Sequence, residues 1–481
     1  MAKKKLESQE LTFSFGNEKL ENIECSVEVD DDSNWNKVNV VTNNPDIIRI
    51  QDCECVDVKI SIRNITGDSS RDTEINKASI QGFGMSLGRK DPTFSFYLYP
   101  KEVYIYHRYA RPTKRRKVTL HYYINKAPMI SPYYRLIPNE LGEVKKNSNP
   151  SLEITLDNKI KIKSEVAFSY NLQGDDFESK RYQRLTTSFS RKRNIVEFIQ
   201  EEISPQVDDL LMLSSLLHDG KVAYTSWKAE ADGLTILYYK SSRKKADDND
   251  SGRFKNLIEP QNVRDFLTST LKVYKKSPYK HSIDNAIYTL MLSNSTVIEL
   301  SYLAYFQAFE SMVLTFKRIM GTEFIFSEND FKLMRASIEK TISIHIPDDK
   351  LLRQKVKSKL GELRRVSLKD AANNFIEHFD IDLGSLWPLF DDKGKGIIGL
   401  TSIRNVLIHG DLLPPDALRS VAIASHHLRV LLIRCVFSLL DWEIQRTQVR
   451  SDHLISTHHL FDGEVLSDSL SDIFSFFSEK K

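Results

Sequence analysis

Four cysteines in 481 residues are too few to staple a chain of this length. The Cys53-Glu54-Cys55 spacing is not that of a disulfide framework, and it lacks the knuckle of about two to four residues that zinc sites use. Cys53 and Cys55, on one side of a strand, could be joined by Cys25 and by His107 or His121, but buried cysteines are the better reading. No metal and no cofactor is therefore expected, and thiol catalysis drops out. Charge of one sign is also lacking: 68 Lys+Arg against 65 Asp+Glu leave a formal net charge of +3, so no global field marks a histone-like binder. A phosphate loop is missing, because Gly82-Phe83-Gly84 with Gly88 is sparse and no Gly-Lys-Ser/Thr follows. No apolar stretch stands behind Met1-Ala2-Lys3-Lys4-Lys5, which argues against a secretory signal. The most apolar segment, 421–442, is interrupted by Arg429 and Arg434 and reads as a buried helix rather than a membrane span. These absences together predict a cytoplasmic protein without a membrane partner.

What is present is an ordinary globular composition, 41% apolar and 28% charged, long enough for two to four domains. After a flexible start at 1–10, residues 11–240 read as strands: Thr12–Phe15, Asp57–Ile62, Phe94–Tyr99, Val103–Tyr106 and Thr119–Ile124 alternate or cluster β-branched and aromatic residues. Short strands at this spacing predict a sandwich-like or barrel-like antiparallel domain. One helix, 193–217, interrupts it with a 3.6-residue apolar period. Residues 241–256 are polar and charged and read as a linker. From 257 to 450 the apolar spacing turns helical, with predicted helices at 261–275, 283–318, 328–342, 349–363, 368–379, 397–409 and 416–448. Residues 451–481 read as a docked or loose polar tail with a short apolar knot at Ile473-Phe474-Ser475-Phe476-Phe477, and its histidines, His453, His458 and His459, are expected to face solvent. The fold class is α+β and multidomain, a β-rich N-terminal region followed by an all-α C-terminal one.

The chemistry concentrates at Ser402-Ile403-Arg404-Asn405-Val406-Leu407-Ile408-His409-Gly410-Asp411. Asn405 and His409 are four apart and share a helix face, and Gly410 is placed to stop the helix in a left-handed turn. A histidine can move protons near neutral pH, and an arginine can hold a phosphate and stabilise the charge that builds on it. On RNA the 2′-OH is itself the nucleophile, so no protein nucleophile is required. The bland alternative has Arg404 capping a helix and His409 satisfying a carbonyl at its C-terminus. An Arg followed four to seven residues later by His also occurs at Arg115 and Arg116 with His121, Arg419 with His426, and Arg446 with His453. Only Arg404 has the Asn, the helical context and the Gly stop; Arg419–His426 is a minor competitor.

Arg404-Asn405-Val406-Leu407-Ile408-His409-Gly410 resembles the Arg-polar-x-x-x-His motif of HEPN (higher eukaryotes and prokaryotes nucleotide-binding) domains. The stretch Tyr305-Phe306-Gln307-Ala308-Phe309-Glu310 resembles the first helix of that bundle, and a β-rich region ahead of it is similar to the ApeA-like anti-phage proteins. The resemblance covers roughly residues 262–450 and is looser over 11–240. It implies a metal-independent endoribonuclease in anti-phage defence, a homodimer or higher oligomer in which the motif helices of two protomers form one RNA cleft. RNA is the implied partner, tRNA by family analogy, with a phage-derived trigger sensed by the β-rich half. Arg404 and His409 would be catalytic, Asn405 would support them, and Glu310 matches an acidic position of some members. Many HEPN domains bind without cleaving, so the alternative is a non-catalytic RNA- or nucleotide-binding dimer. A weaker one makes the β domain a ligand-binding sandwich and the helical half a scaffold.

A second signal is the run 108–117, where Arg108, Arg111, Lys114, Arg115, Arg116 and Lys117 meet no acid. Tyr104, Tyr106, Tyr109, Tyr122 and Tyr123 flank it, a pairing suited to phosphate contact and base stacking. The bland reading is a solvated hairpin tip. Lys180, Arg181 and Arg184, and Arg191, Lys192 and Arg193, could extend such a surface.

Overall fold

A computed structural model describes residues 4–31, 34–63, 69–87, 92–109, 117–125, 127, 130, 133–138, 144–149, 152–157, 159–173, 176–240, 256–292, 297–392, 394–410 and 415–479. The described chain is α+β: a large antiparallel sheet in the N-terminal part and helices in the C-terminal part. By contacts it divides into two units, Met1–Ser214 with Val222–Asp250, and Ser215–Lys221 with Ser251–Lys481. The expected linker 241–256 lies outside the described residues apart from Asn256.

The first unit is built on one sheet of 13 strands, not two sheets packed face to face. Strands β1 (Lys4–Phe15), β2 (Glu18–Asp31), β3 (Asn34–Thr42), β4 (Val56–Arg63), β5 (Ser69–Leu87) and β6 (Pro92–Tyr99) close a hydrogen-bonded ring in the order β5-β4-β1-β2-β3-β6-β5. Length makes the closure possible. The 19-residue β5 pairs with β4 and with β7 (Glu102–Tyr109) along its first half, and with β6 along its second. Pro100, which has no N–H to give a ladder, separates β6 from β7 on that shared edge. Period-2 alternation sends Leu11, Phe13, Val27, Val40, Ile60 and Phe96 into the ring, each at most 1% exposed. From β7 the sheet opens out through β15 (Leu234–Lys240), β14 (Tyr224–Ala231), β8 (Lys117–Ile124), β13 (Asp176–Ser190), β12 (Lys161–Gln173) and β11 (Glu153–Thr155). A separate hairpin pairs β9 (Tyr133–Pro138) with β10 (Val144–Asn149).

The inserted helix is present, with a difference. It runs as α1 (Ile195–Phe198), a π turn (Ile199–Ile203) and α2 (Ser204–His218). Within the first unit it packs on the open sheet through Ile199, Ile203 and Val207, all fully buried, and through a 2.9 Å hydrogen bond between the Ser204 and Tyr122 hydroxyls. Cys25 is buried in the ring, whereas Cys53 is half-buried and Cys55 exposed. Both of the latter precede β4 in a turn, so the expectation of buried cysteines on a strand holds for Cys25 alone of the three.

The second unit contains α3 (Val263–Lys276), α4 (Lys280–Leu292), α5 (Ile298–Met320), α6 (Glu328–His345), α7 (Lys350–Lys359), α8 (Leu368–His378), α9 (Leu400–Ile408), α10 (Pro415–Leu439), α11 (Ser451–Thr457) and α12 (Gly463–Glu479). The helix expected over 283–318 is two helices, α4 and α5, joined by a Ser282–Thr315 hydroxyl contact of 2.9 Å. The apolar stretch at 421–442 is the core helix α10: its window Ala417–Leu439 is long and apolar enough to cross a membrane, yet 89% of it is buried. Residues 215–221 belong with this unit because Asp219 pairs with the fully buried Arg429 and the Leu257 N–H donates to the Leu217 carbonyl at 3.2 Å.

Of the two readings of the tail, docked or loose, the structure has the docked one, as helix. α12 lies along α10, with Ile473 fully buried and the Ser420 hydroxyl donating to Asp472 at 3.1 Å. An amphipathic stretch hidden among Ser and Asp residues seats it, a pattern that the surrounding polarity masks. His453 and His458 are accordingly half-buried, and only His459 is exposed.

Candidate active site

Helix α9 is fixed from its N-terminal end. The Asp391 carboxylate accepts from the Gly399 N–H at 2.7 Å and from the Ser402 hydroxyl at 2.8 Å. The Tyr302 hydroxyl on α5 donates to the Leu400 carbonyl at 2.6 Å, and the Trp387 indole N–H to that of Ile398 at 2.9 Å. Gly399, at the N-cap, leaves no room for a side chain: a Cβ there would stand 2.3 Å from the Phe390 carbonyl carbon. Leu400 and Ile403 are buried beneath the helix, as their spacing requires.

The far end is shaped as expected. Gly410 has φ +74°, in the left-handed region, and its N–H donates to the Leu407 carbonyl at 3.2 Å. His409 is the C-cap residue; its own N–H donates to the Asn405 carbonyl at 3.1 Å. Its imidazole is exposed and, among the described residues, makes no hydrogen bond to a helix-terminal carbonyl. Nor does Arg404 cap the helix. Its Nη2 donates to both oxygens of Glu310 on α5, at 3.1 and 3.2 Å, and its Nη1 to the Asn405 side-chain oxygen at 3.1 Å. The guanidinium also stands 5.8 Å from the centroid of the Phe306 ring. The Arg404 and Glu310 side chains are 29% and 20% exposed, so the pair is half-buried while Asn405 and His409 stay open.

All four residues singled out in the helical half, Arg404, Asn405, His409 and Glu310, therefore fall on α9 and the stretch of α5 beneath it. What the arrangement can do is specific. Glu310 removes much of the rotamer freedom of Arg404 and offers a planar donor fork beside an open helix end. His409 supplies an imidazole that solvent can reach. The competitor Arg419–His426 lacks this frame: Arg419 is exposed and His426 half-buried on α10. Next to it His427 is fully buried, with Nδ1 accepting from the Trp387 N–H at 3.0 Å and Nε2 facing the Leu460 carbonyl at 2.9 Å. Burial pushes its pKa down to about 4, so it is a neutral core residue.

The basic run of the β-rich half fares differently. Arg111, Lys114, Arg115 and Arg116 lie outside the described residues. Arg108 ends β7 paired with Asp72 on β5, an acid that the local sequence does not reveal. Lys117 is exposed at the start of β8. Tyr104 and Tyr122 are buried, at 2% and 0% exposure, and are not available for stacking; Tyr109 is 53% exposed. Sheet alternation explains this, since even positions of β8 point into the core. Arg184 is tied to Glu165 at 3.0 Å, and Arg191 donates to the Asp232 carbonyl at 3.3 Å. His121 is buried against the Thr186 hydroxyl at 3.0 Å, with its pKa lowered by burial first and by nearby Arg184 next.

Sequence reasoning missed Asp391, Trp387 and Tyr302, which set the angle of α9. No local signal could have found them, because each reaches α9 through a loop or from a distant helix. No protein-family model, curated protein or solved structure matches the chain.

Proposed function

We propose that the protein is a metal-independent endoribonuclease of the HEPN type, working on RNA (tRNA by analogy) as a homodimer or higher oligomer in anti-phage defence. The observation that carries the reading is the Arg404–Glu310 pair held half-buried beside an open Asn405 and His409 on one short helix. In the proposed reaction the substrate 2′-OH attacks the adjacent phosphorus. The O2′–P bond forms, the P–O5′ bond breaks, and a 2′,3′-cyclic phosphate and a 5′-hydroxyl result. His409 takes the 2′-hydroxyl proton or returns one to the leaving O5′, with a second histidine or water completing the exchange. Arg404 stabilises the charge on the phosphoryl oxygens, and Asn405 holds its fork. A second copy would supply that second histidine; the exposed Ile408 beside His409, 52% accessible, gives α9 an apolar residue to bury against it. The β-rich unit, with its own core, would sense a phage-derived trigger.

A strand in which the 2′-hydroxyl at each cleaved position is replaced by hydrogen tests the chemistry. Loss of cleavage, and a cyclic phosphate on the products of the parent RNA, are expected; equal cleavage of the deoxy strand would refute the reaction. The Glu310 contact also favours a second reading, a non-catalytic RNA- or nucleotide-binding dimer, because it already neutralises Arg404. Unimpaired RNA binding with no cleavage of any substrate would favour that reading.

A further inference from the structure

Between Lys350 and Arg365 the chain carries seven cations and one carboxylate, Glu362. This is the steepest charge imbalance of the helical unit, and sequence periodicity alone read it only as another helix. α7 has no buried residue of its own; Leu360, just after it, is the anchor at 7% exposure. Lys350, Lys355 and Lys359 point outward on it, and Arg365 is exposed beyond its end. Among the described residues Lys350 and Lys355 have no carboxylate within ion-pair distance, whereas Lys359 meets Glu362 at 3.1 Å. On the neighbouring α6, by contrast, Lys332 and Arg335 are each matched by a glutamate four residues away, at 2.9 and 2.7 Å.

An aromatic platform stands beside these cations. Phe324, 45% exposed, lies 4.0 Å under the Arg364 guanidinium, whose Nε donates to the Phe326 carbonyl at 3.2 Å. A backbone bridge between Phe324 and Arg365 holds the two segments together. Cations along a helix plus an exposed ring with a stacked guanidinium are the elements of a sequence-tolerant grip on single-stranded nucleic acid. We propose that the exposed surface of α7, with Lys355 and Lys359 one turn apart on one side and Lys350 on another, continues through Arg365 to the Phe324–Arg364 stack as a track for the phosphate backbone of single-stranded RNA. The proposal rests on the reading of the protein as an RNA enzyme and adds where the substrate is held outside the motif.

A lipid surface is the rival polyanion, since Leu351 and Leu352 are 72% and 45% exposed. The distribution argues against it. A membrane-lying helix separates its leucines from its lysines, whereas here Leu351 is one turn from Lys355 and Leu352 is two turns from Lys359, on the same sides.

The test is the affinity of the full chain for a fluorescently labelled oligouridine across a salt series. The proteins compared are wild type, Lys350→Gln/Lys355→Gln/Lys359→Gln/Arg365→Gln, Phe324→Ala, and the α6 control Lys332→Gln/Lys340→Gln. Phosphatidylserine/phosphatidylcholine vesicles are run alongside. We expect the α7 quadruple variant to bind about tenfold or more weakly, with a salt slope flatter by roughly 0.7 for each phosphate that it no longer neutralises. Phe324→Ala should lose about fivefold or more, in line with one stacking interaction of about 1–3 kcal/mol. The α6 control should bind like wild type. An α7 variant that binds RNA as wild type does, or a wild type that binds the vesicles and not the RNA, would overturn the track. Tight, α7-dependent binding without cleavage would instead spare the track and sink the nuclease reading.

Discussion

Consecutive helices α9 and α10 both carry arginine and histidine, and they use them in opposite ways. On α10, Arg429 and Arg434 are fully buried, and His427 is closed off on both ring nitrogens. Arg434 commits its fork to the carbonyls of Val449, Asp382 and Gly384, to the Ser451 hydroxyl and to the Asp382 carboxylate. Those groups tie the loop before α9 and the start of α11 to the core. On α9, Arg404 has one carboxylate partner and one amide, and His409 has open solvent. The lesson is that residue type does not separate structure from chemistry; accessibility does. An arginine shut inside a core cannot meet a phosphate, and a histidine whose two nitrogens are engaged cannot exchange a proton with a substrate.

The contrast can be broken from either side. Arg434→Ala should have the largest effect on stability, about 3–5 kcal/mol, because it strands several buried acceptors; chemical denaturation reads it. Next comes pH. His427 has a folded pKa of about 4 against about 6.5 unfolded, so its contribution is fully present above pH 6.5 or so. It is lost as the pH falls towards 4, because the unfolded chain then binds the extra proton, with a ceiling of about 3 kcal/mol. Unfolding at neutral and mildly acidic pH should show that loss in wild type, and His427→Gln should remove it. Glu310→Gln sharpens the other side: with the charge on the Arg404 partner gone, turnover should fall by up to about 10²-fold, the cost of a misplaced group in the proposed site. Its melting temperature should barely move, since a half-exposed ion pair contributes about 1 kcal/mol or less. Arg419→Ala, on the exposed start of α10, should change turnover by less than about twofold, and a larger loss would revive Arg419–His426 as the site.

Much of this was legible in the chain. Gly410 ends α9 as the sequence predicts, and Asn405 and His409 share its open face because a four-residue spacing leaves little choice. Strand character from Thr12 to Tyr239 followed from period-2 alternation. The closed ring did not, because it depends on β5 serving β6 and β7 on one edge, and pairing partners leave no local trace. The aromatics around the basic run misled for the same reason: Tyr104 and Tyr122 look like a stacking surface until alternation turns them into the core. Asp391 and Trp387, which aim α9, sit in a loop that carries no periodic signal. α12 escaped because its apolar stripe is diluted by serines and aspartates.

The most direct measurement is RNA cleavage by the full chain in excess EDTA, wild type against His409→Ala, with melting temperatures compared. Wild type should cleave undiminished by the chelator, and His409→Ala should lose about 10²- to 10⁴-fold in rate while melting alongside it. Equal cleavage by the two proteins, or wild-type cleavage abolished by EDTA, would contradict the account.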